Sequence, residues 1–182
     1  RATYGRRAEH AALREQSGGW EDDPLEDLFE KYAPLGERVG LALPDQAGAL
    51  LSPAPHPDDV YVHGDPCPDN ALLMGSEVHL IDFERARFAP GVRDITTLRM
   101  GQPTCWCAGR VPDSLADAVE DAYREAMTAV IPAWTDAAVF ERARNDALAD
   151  HVLTNLCVFA PEVLDDDRQW GTTTIRPRIL TR

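Results

Sequence analysis

Apolar positions near the start of the chain recur at three- and four-residue steps, the period of a helix with one buried face. Residues 8–16 have a helix-forming composition and break at Ser17-Gly18-Gly19. Beyond Pro24, the residues Leu25, Leu28, Phe29, Tyr32 and Leu35 form a single stripe. Asp22 or Asp23 is placed to cap that helix, and Gly36 or Gly40 to end it. Residues 43–57 are rich in Pro, Gly and Ser and read as connector. The pattern then shortens. Val60-Tyr61-Val62 is a β-prone run leading into His63-Gly64-Asp65, and residues 71–74 and 78–81 are two more runs separated by Gly75-Ser76, which predicts a β-hairpin.

After Pro112 the helical period returns. Leu115, Val119, Ala122, Tyr123, Ala126, Met127 and Val130 form an apolar stripe starting just after Asp113-Ser114. A second long helix is expected over residues 136–159, with Val139, Phe140, Leu148, Val152, Leu156 and Phe159 facing the core. Asp165-Asp166-Asp167 reads as a solvated turn, and residues 170–182, carrying Ile175, Ile179 and Leu180, as the start of a further helix. The expected fold class is mainly α (α+β): a helical body with one small β-hairpin near its middle.

Composition narrows the function classes. The 182 residues carry 18 Lys+Arg against 31 Asp+Glu, a formal net charge of −13. That balance argues against nucleic acid as a partner, whose phosphates need a basic face, and is compatible with steering cationic small molecules. No apolar run approaches the ~18 residues of a membrane span, and no apolar signal region follows Arg1. A soluble, cytoplasmic protein with no membrane partner is expected. The four cysteines, Cys67, Cys105, Cys107 and Cys157, show no regular framework, and reduced thiols are the expectation. Cys105-Trp106-Cys107 lacks a second Cys or His pair at zinc spacing, so plain packing is favoured over a metal.

The chemistry-bearing residues concentrate in 60–94. A strand stops at Asp65, Asn70 follows five residues later and opens the hairpin, and Asp82 lies at the hairpin's return end. Because a hairpin brings its ends together, Asn70 and Asp82 are expected side by side with Asp65 close by. Hard oxygen ligands such as Asn and Asp suit Mg²⁺, and a carboxylate free of metal suits the task of orienting an attacking hydroxyl and accepting its proton. The series His63-Gly64-Asp65, four residues, Asn70, and then Ile81-Asp82-Phe83-Glu84 resembles the catalytic segment of the aminoglycoside phosphotransferase and choline kinase group, which has a protein-kinase-like fold. Residues 104–110 (Thr-Cys-Trp-Cys-Ala-Gly-Arg) and 170–174 (Trp-Gly-Thr-Thr-Thr) are similar in character to sequences of that group.

The resemblance implies Asp65 as catalytic base and Asn70 and Asp82 as Mg²⁺ ligands, with ATP as phosphoryl donor. His63 is read as ordering the loop through backbone hydrogen bonds, Glu84 as a neighbour of the metal site or a solvated carboxylate, and Asp94 as the aspartate that ties the segment after the metal site to the helical body. Cys67 is read as a small filler within the loop rather than a nucleophile, since no activating group is in view. By the same resemblance, residues 1–59 are helices and connector, 60–94 the catalytic and metal-binding segment, and 95–182 a helical acceptor-binding region. All of them together are expected to form the C-terminal lobe of a phosphotransferase.

A nucleotide-binding lobe is not found in the sequence. Ser17-Gly18-Gly19 follows no strand, and Lys31, the one lysine, sits in a helical, Glu-rich run. The expectation is therefore that the N-terminal lobe is cut away or lies outside these residues. The leading function is an ATP-dependent kinase for a small-molecule hydroxyl. Glu120, Asp121, Asp146 and Asp150 would favour a cationic acceptor, an aminoglycoside or an amino alcohol, unless they are simply a solvated helix face. The alternative is a catalytically silent lobe or interaction module whose uncovered apolar surface promotes self-association. A metal-dependent hydrolase is a third reading, and it leaves the ordered spacing unexplained.

Overall fold

A computed structural model describes residues 34, 36–38, 40, 58–100, 105 and 110–180, the side chains of 157, 158, 160, 162 and 180 excepted. The expected helix over 8–16, the stripe residues Leu25, Leu28, Phe29, Tyr32 and Leu35, Ser17-Gly18-Gly19, Lys31, the connector 43–57 and Cys107 lie outside the described residues. Residues 34 and 36–38 are helical, and Gly40, at a left-handed φ of 69°, sits in the turn beyond them.

In chain order the elements are β1 (Asp59–Val62), β2 (Ala71–Met74), β3 (Glu77–Leu80), β4 (Arg87–Pro90), α1 (Arg93–Thr96), α2 (Asp113–Met127), α3 (Ala137–Asp165), β5 (Gln169–Trp170), β6 (Thr173–Thr174) and α4 (Ile175–Leu180). The expected single hairpin is present as β2–β3, with Ala71 opposite Leu80 and Met74 opposite Glu77. Two further antiparallel pairs accompany it, so the architecture is mixed α/β with three small sheets rather than one hairpin in a helical body. β4 pairs with β1, Val60 facing Ala89 and Val62 facing Arg87. β5 and β6 pair around a turn in which Gly171 takes φ 62°, in the stretch expected to begin a helix; that helix starts only at Ile175.

The core forms where β1 and β4 meet the helices. Val60, Val62, Ala89, Val92, Ile95, Met127, Ile131, Trp134, Phe140 and Ala147 make one buried cluster. Trp134 is fully buried at its centre; its indole N–H donates to Asp58 Oδ2 at 3.1 Å and its ring meets Phe140 edge-on at 5.2 Å. The Tyr123 hydroxyl donates to the Gly91 carbonyl at 2.5 Å, binding α2 to the turn after β4. Gly91 fits closely there, since an added Cβ would lie 3.1–3.3 Å from Trp134, Val60 and Ile131 side-chain atoms.

The stripe expected on α2 holds in its second half, where Met127 is buried and Tyr123 packs on the core, and is rotated in its first turns: Leu115 and Val119 are exposed, whereas Ala116 and Glu120 are buried. The reason is an ion cluster: Glu120 accepts from Arg99 Nε and Nη2, each at 2.7 Å, and from Arg144 Nη1 at 3.0 Å. Two guanidinium groups make burial of this carboxylate affordable and draw its face of the helix inward. α3 also runs past its expected end, through Pro161 to Asp165. Arg176 donates twice to the Val163 carbonyl, at 2.8 and 2.6 Å, which supplies the partner that the last turn needs. Asp165 is therefore helical; Arg38 contacts it at 2.6 Å at the surface.

Two titrating groups set the acid sensitivity of this body. Burial, with Arg93 and Arg87 nearby, pushes the His151 imidazole down to about 4. Burial alone would raise Glu120, but its hydrogen bonds from Arg99 and Arg144 hold it below the usual carboxylate value. Both folded-state values lie below the unfolded ones, so both stabilising contributions are present at neutral pH and are lost as pH falls, that of His151 from 6.5 toward about 4 and that of Glu120 below 4.5. His151→Gln should flatten the stability loss across pH 6.5 to 4 by up to about 3 kcal/mol in denaturant titrations. Glu120→Gln should lower stability at pH 7 by about 3 kcal/mol, a deficit that narrows below pH 4.5.

Candidate active site

The loop between β1 and β2 is held in place from two sides. Asp94, at the start of α1, accepts the His63 backbone N–H at 2.8 Å on one carboxylate oxygen and the Gly64 N–H at 3.0 Å on the other. Asp94 is expected to tie the segment after the metal site to the helical body; the backbone groups it holds belong to the loop before Asp65. Burial raises the Asp94 pKa, opposed by those two N–H bonds and by the nearby His63 ring and Arg93 guanidinium. From the other side, His63 Nε2 lies 2.8 Å from the Ile81 carbonyl and Nδ1 accepts the Asp65 N–H at 3.3 Å. Together these contacts place the imidazole hydrogen on Nε2. His63 thus orders the loop and links it to the end of the hairpin; its ring also lies 4.5 Å from that of Phe83.

Gly64 explains the middle position of its tripeptide. It takes φ 83°, and a Cβ there would overlap the Arg85 carbonyl. Any side chain would drive apart the loop and the one-turn helix Phe83–Arg85.

Asn70 is buried and ends a short turn whose N–H returns to the Cys67 carbonyl at 2.9 Å. Its side-chain Nδ2 donates to the Asp65 carbonyl at 3.0 Å, which leaves the amide oxygen as the group available to bind a cation. Its own carbonyl accepts the Ile81 N–H at 2.9 Å, so Asn70 and the approach to Asp82 lie side by side, as the hairpin predicts. Asp82 takes φ 61° and ψ 60°, the single non-glycine left-handed residue among those described. Such a backbone costs about 1–2 kcal/mol, and strained positions of this kind cluster at functional sites. Glu84, in the turn after Asp82, is exposed.

Asp65 is half-buried, and its pKa is raised. Removal from water is the main cause; the Arg85 guanidinium opposes it, the Asp69 carboxylate adds to it, His63 opposes it and Asp82 adds to it. The structure thus brings Asp65, Asn70 and Asp82 into one neighbourhood, with Arg85 and Asp69 as electrostatic neighbours that sequence reasoning did not single out. Arg85 had a visible signal, as the cation directly after Ile81-Asp82-Phe83-Glu84. The donor set is one amide oxygen and carboxylate oxygens, which fits Mg²⁺, an ion that takes few protein ligands and keeps water or phosphate on its other positions.

Cys67 corrects an expectation. It is bonded to Cys105 as a disulfide, with Cα atoms 5.9 Å apart across 38 residues of sequence, where free thiols were expected. Nothing local in the sequence marks the pair, because the loop and residue 105 meet only through the tertiary fold.

A family model described as phosphotransferase enzyme family matches residues 4–140. The chain belongs to that family. The match spans three quarters of the sequence and contains the whole loop and hairpin, so phosphotransferase chemistry is the activity this site has to account for. No curated protein matches the chain closely enough to be compared as a relative. Among the described residues no helix is long and apolar enough to cross a membrane.

The Asp94 grip has a direct stability readout. Asp94→Ala leaves the His63 and Gly64 N–H groups without their acceptor, and should cost about 2 kcal/mol and lower the melting temperature by about 4–8 °C. Asp94→Asn, which keeps an acceptor oxygen, should fall between the two in thermal unfolding.

Proposed function

We infer that the protein is an ATP-dependent phosphotransferase acting on a small-molecule hydroxyl, and that the described residues form the C-terminal lobe of a kinase-like fold. The observation that carries this reading is the convergence of Asp65, Asn70 and Asp82 at one loop–hairpin junction, inside a span that matches the phosphotransferase family. Asn70 and Asp82 would hold Mg²⁺, which supplies charge neutralisation on the phosphates of the donor. Asp65 would orient the acceptor hydroxyl and accept its proton as the oxygen attacks the γ-phosphorus. Its raised pKa suits a base that has to take a proton near neutral pH.

Support for the lobe assignment comes from the hairpin. Leu73 and Val78, paired across the hairpin, are 75% and 64% exposed and share one face with Leu80, while Met74, 61% exposed, lies on the other face with Leu72. A face of this composition beside the site is what a covering nucleotide lobe packs on, or, in the interaction-module reading, what a second copy or partner covers. Residues 95–182 would carry the acceptor pocket. Of the acidic residues considered for a cationic acceptor, Glu120 is committed to Arg99 and Arg144, and Asp150 to Arg93 at 2.6 Å. Asp121 and Asp146 stay exposed and are the ones left for that role, beside the expectation of a cytoplasmic protein.

The test is turnover of Mg·ATP with a panel of aminoglycoside and amino-alcohol acceptors. Asp65→Asn should lower kcat by about 10²- to 10⁴-fold while nucleotide binding persists. Asp82→Asn should weaken Mg·ATP binding itself. Unchanged turnover in Asp65→Asn would sink the assignment. The acid limb of kcat/KM should move to higher pH in Arg85→Gln, which removes the cation that lowers the Asp65 pKa, and to lower pH in Asp69→Asn, which removes a carboxylate that raises it.

A further inference from the structure

The half of the loop that precedes Asp65 is gripped by Asp94, but the half that follows has a different anchor. Cys67 lies between Asp65 and Asn70, is buried, and is bonded to Cys105, which is buried as well. Cys105 is in turn fixed to the C-terminal end of the chain: the buried Arg178 guanidinium donates to the Cys105 carbonyl through Nη1 and to the Trp170 carbonyl through Nη2 at 2.7 Å. The turn that carries Asn70 is therefore bonded covalently to Cys105 and, through the two hydrogen bonds of Arg178, linked to β5 and α4. The Asn70 N–H bonds to the carbonyl of Cys67 itself, so a shift of Cys67 moves the hydrogen bond that seats Asn70.

We propose that Cys67 and Cys105 are a thiol–disulfide couple that positions the Asp65–Asn70 turn, so that phosphoryl transfer depends on the redox state of the protein. Reduction breaks the Sγ–Sγ bond; a dithiol reductant supplies two electrons and two protons, leaves two thiols on the protein and itself becomes a disulfide. Oxidation reverses this with a small disulfide, such as that of glutathione, as oxidant, through a mixed disulfide on one cysteine that the other resolves. In a reducing compartment such a bond cycles rather than persists. The proposal rests on the phosphotransferase reading, since it gives Cys67 a positioning role toward Asp65 and Asn70.

The first measurement is peptide mapping after differential alkylation of the whole chain, with and without dithiothreitol. A peptide linking Cys67 to Cys105 under non-reducing conditions is expected. Its absence, a link to Cys107 or Cys157 instead, or one tightly held zinc per chain would each overturn the proposal; zinc is the specific rival because the Cys67, Cys105 and Asp69 ligand atoms lie within 4.8 Å of one another. The second measurement is amide hydrogen exchange in the oxidised and reduced protein. Protection of the Asn70 N–H should fall about tenfold on reduction, while the His63 and Gly64 amides, held by Asp94, keep theirs. A uniform loss across all three would mean general destabilisation and would overturn a positioning role, as would no change. Cys67→Ser, Cys105→Ser and the double variant should each reproduce the reduced pattern without further effect of dithiothreitol. Activity is read separately: redox-dependent exchange at Asn70 without Mg·ATP turnover in either state would refute the phosphotransferase reading and leave the couple standing.

Discussion

The entry to the site depends on one carboxylate receiving two consecutive backbone N–H groups. A loop has no ladder of its own to satisfy its amides, so residues such as His63 and Gly64 need an acceptor from elsewhere in the fold. Asp94 is that acceptor, and its own position follows from β1 and β4 pairing beside it. The pairing brings the end of β1 next to the chain leaving β4, and Val92 and Ile95, buried on either side of Asp94, fix α1 against the core. The functional loop is thus an extension of the hydrophobic cluster around Trp134, reached through one polar contact.

From that contact a chain of restraints runs outward. His63 carries it from the loop to the Ile81 carbonyl, and the Ile81 N–H carries it back to the carbonyl of Asn70. Asn70 then returns it to Asp65 through its side chain. The circuit closes on itself, so each member is held from two sides. Gly64 is the place where the circuit is tightest, since the loop crosses the Arg85 carbonyl with no room for a Cβ.

The parts of this arrangement that were legible in the sequence are those set by short-range chemistry. Gly75-Ser76 between two apolar runs specified the hairpin, and the spacing from Asp65 through Asn70 to Asp82 specified which groups would meet. The parts that were not legible depend on distant partners. Arg87-Phe88-Ala89-Pro90 reads poorly as a strand, with a cation at one end and a proline at the other, and becomes one because β1 offers an edge. The buried face of the first turns of α2 differs from the expected one because Glu120 reads as a surface residue until Arg99 and Arg144 are seen around it. Proline at 161 reads as a helix stop, but Arg176 lies beyond it to supply the hydrogen bonds of the last turn. Cys67 and Cys105 carry no local mark of their pairing at all.

Phosphoryl transfer places an unusual demand on such a loop. The protein makes little covalent contribution to the reaction, so its effect comes from how accurately donors, ligands and base are held. A misplacement of about 1 Å at a catalytic group can cost about 10²-fold in rate. Between Asp65 and Asn70 the chain has one turn of 3-10 helix, Pro68–Asn70, and no strand pairing to hold it. Two prolines, Pro66 and Pro68, restrict its backbone, the Asn70 side chain closes it, and the Cys67–Cys105 bond fixes it to a distant support. Each restraint acts on a different degree of freedom: backbone torsion, loop closure and position relative to the body. Of the three, the disulfide is the one that solution conditions can open without altering the sequence, which makes this turn the point where an outside chemical signal can reach Asp65 and Asn70 most directly.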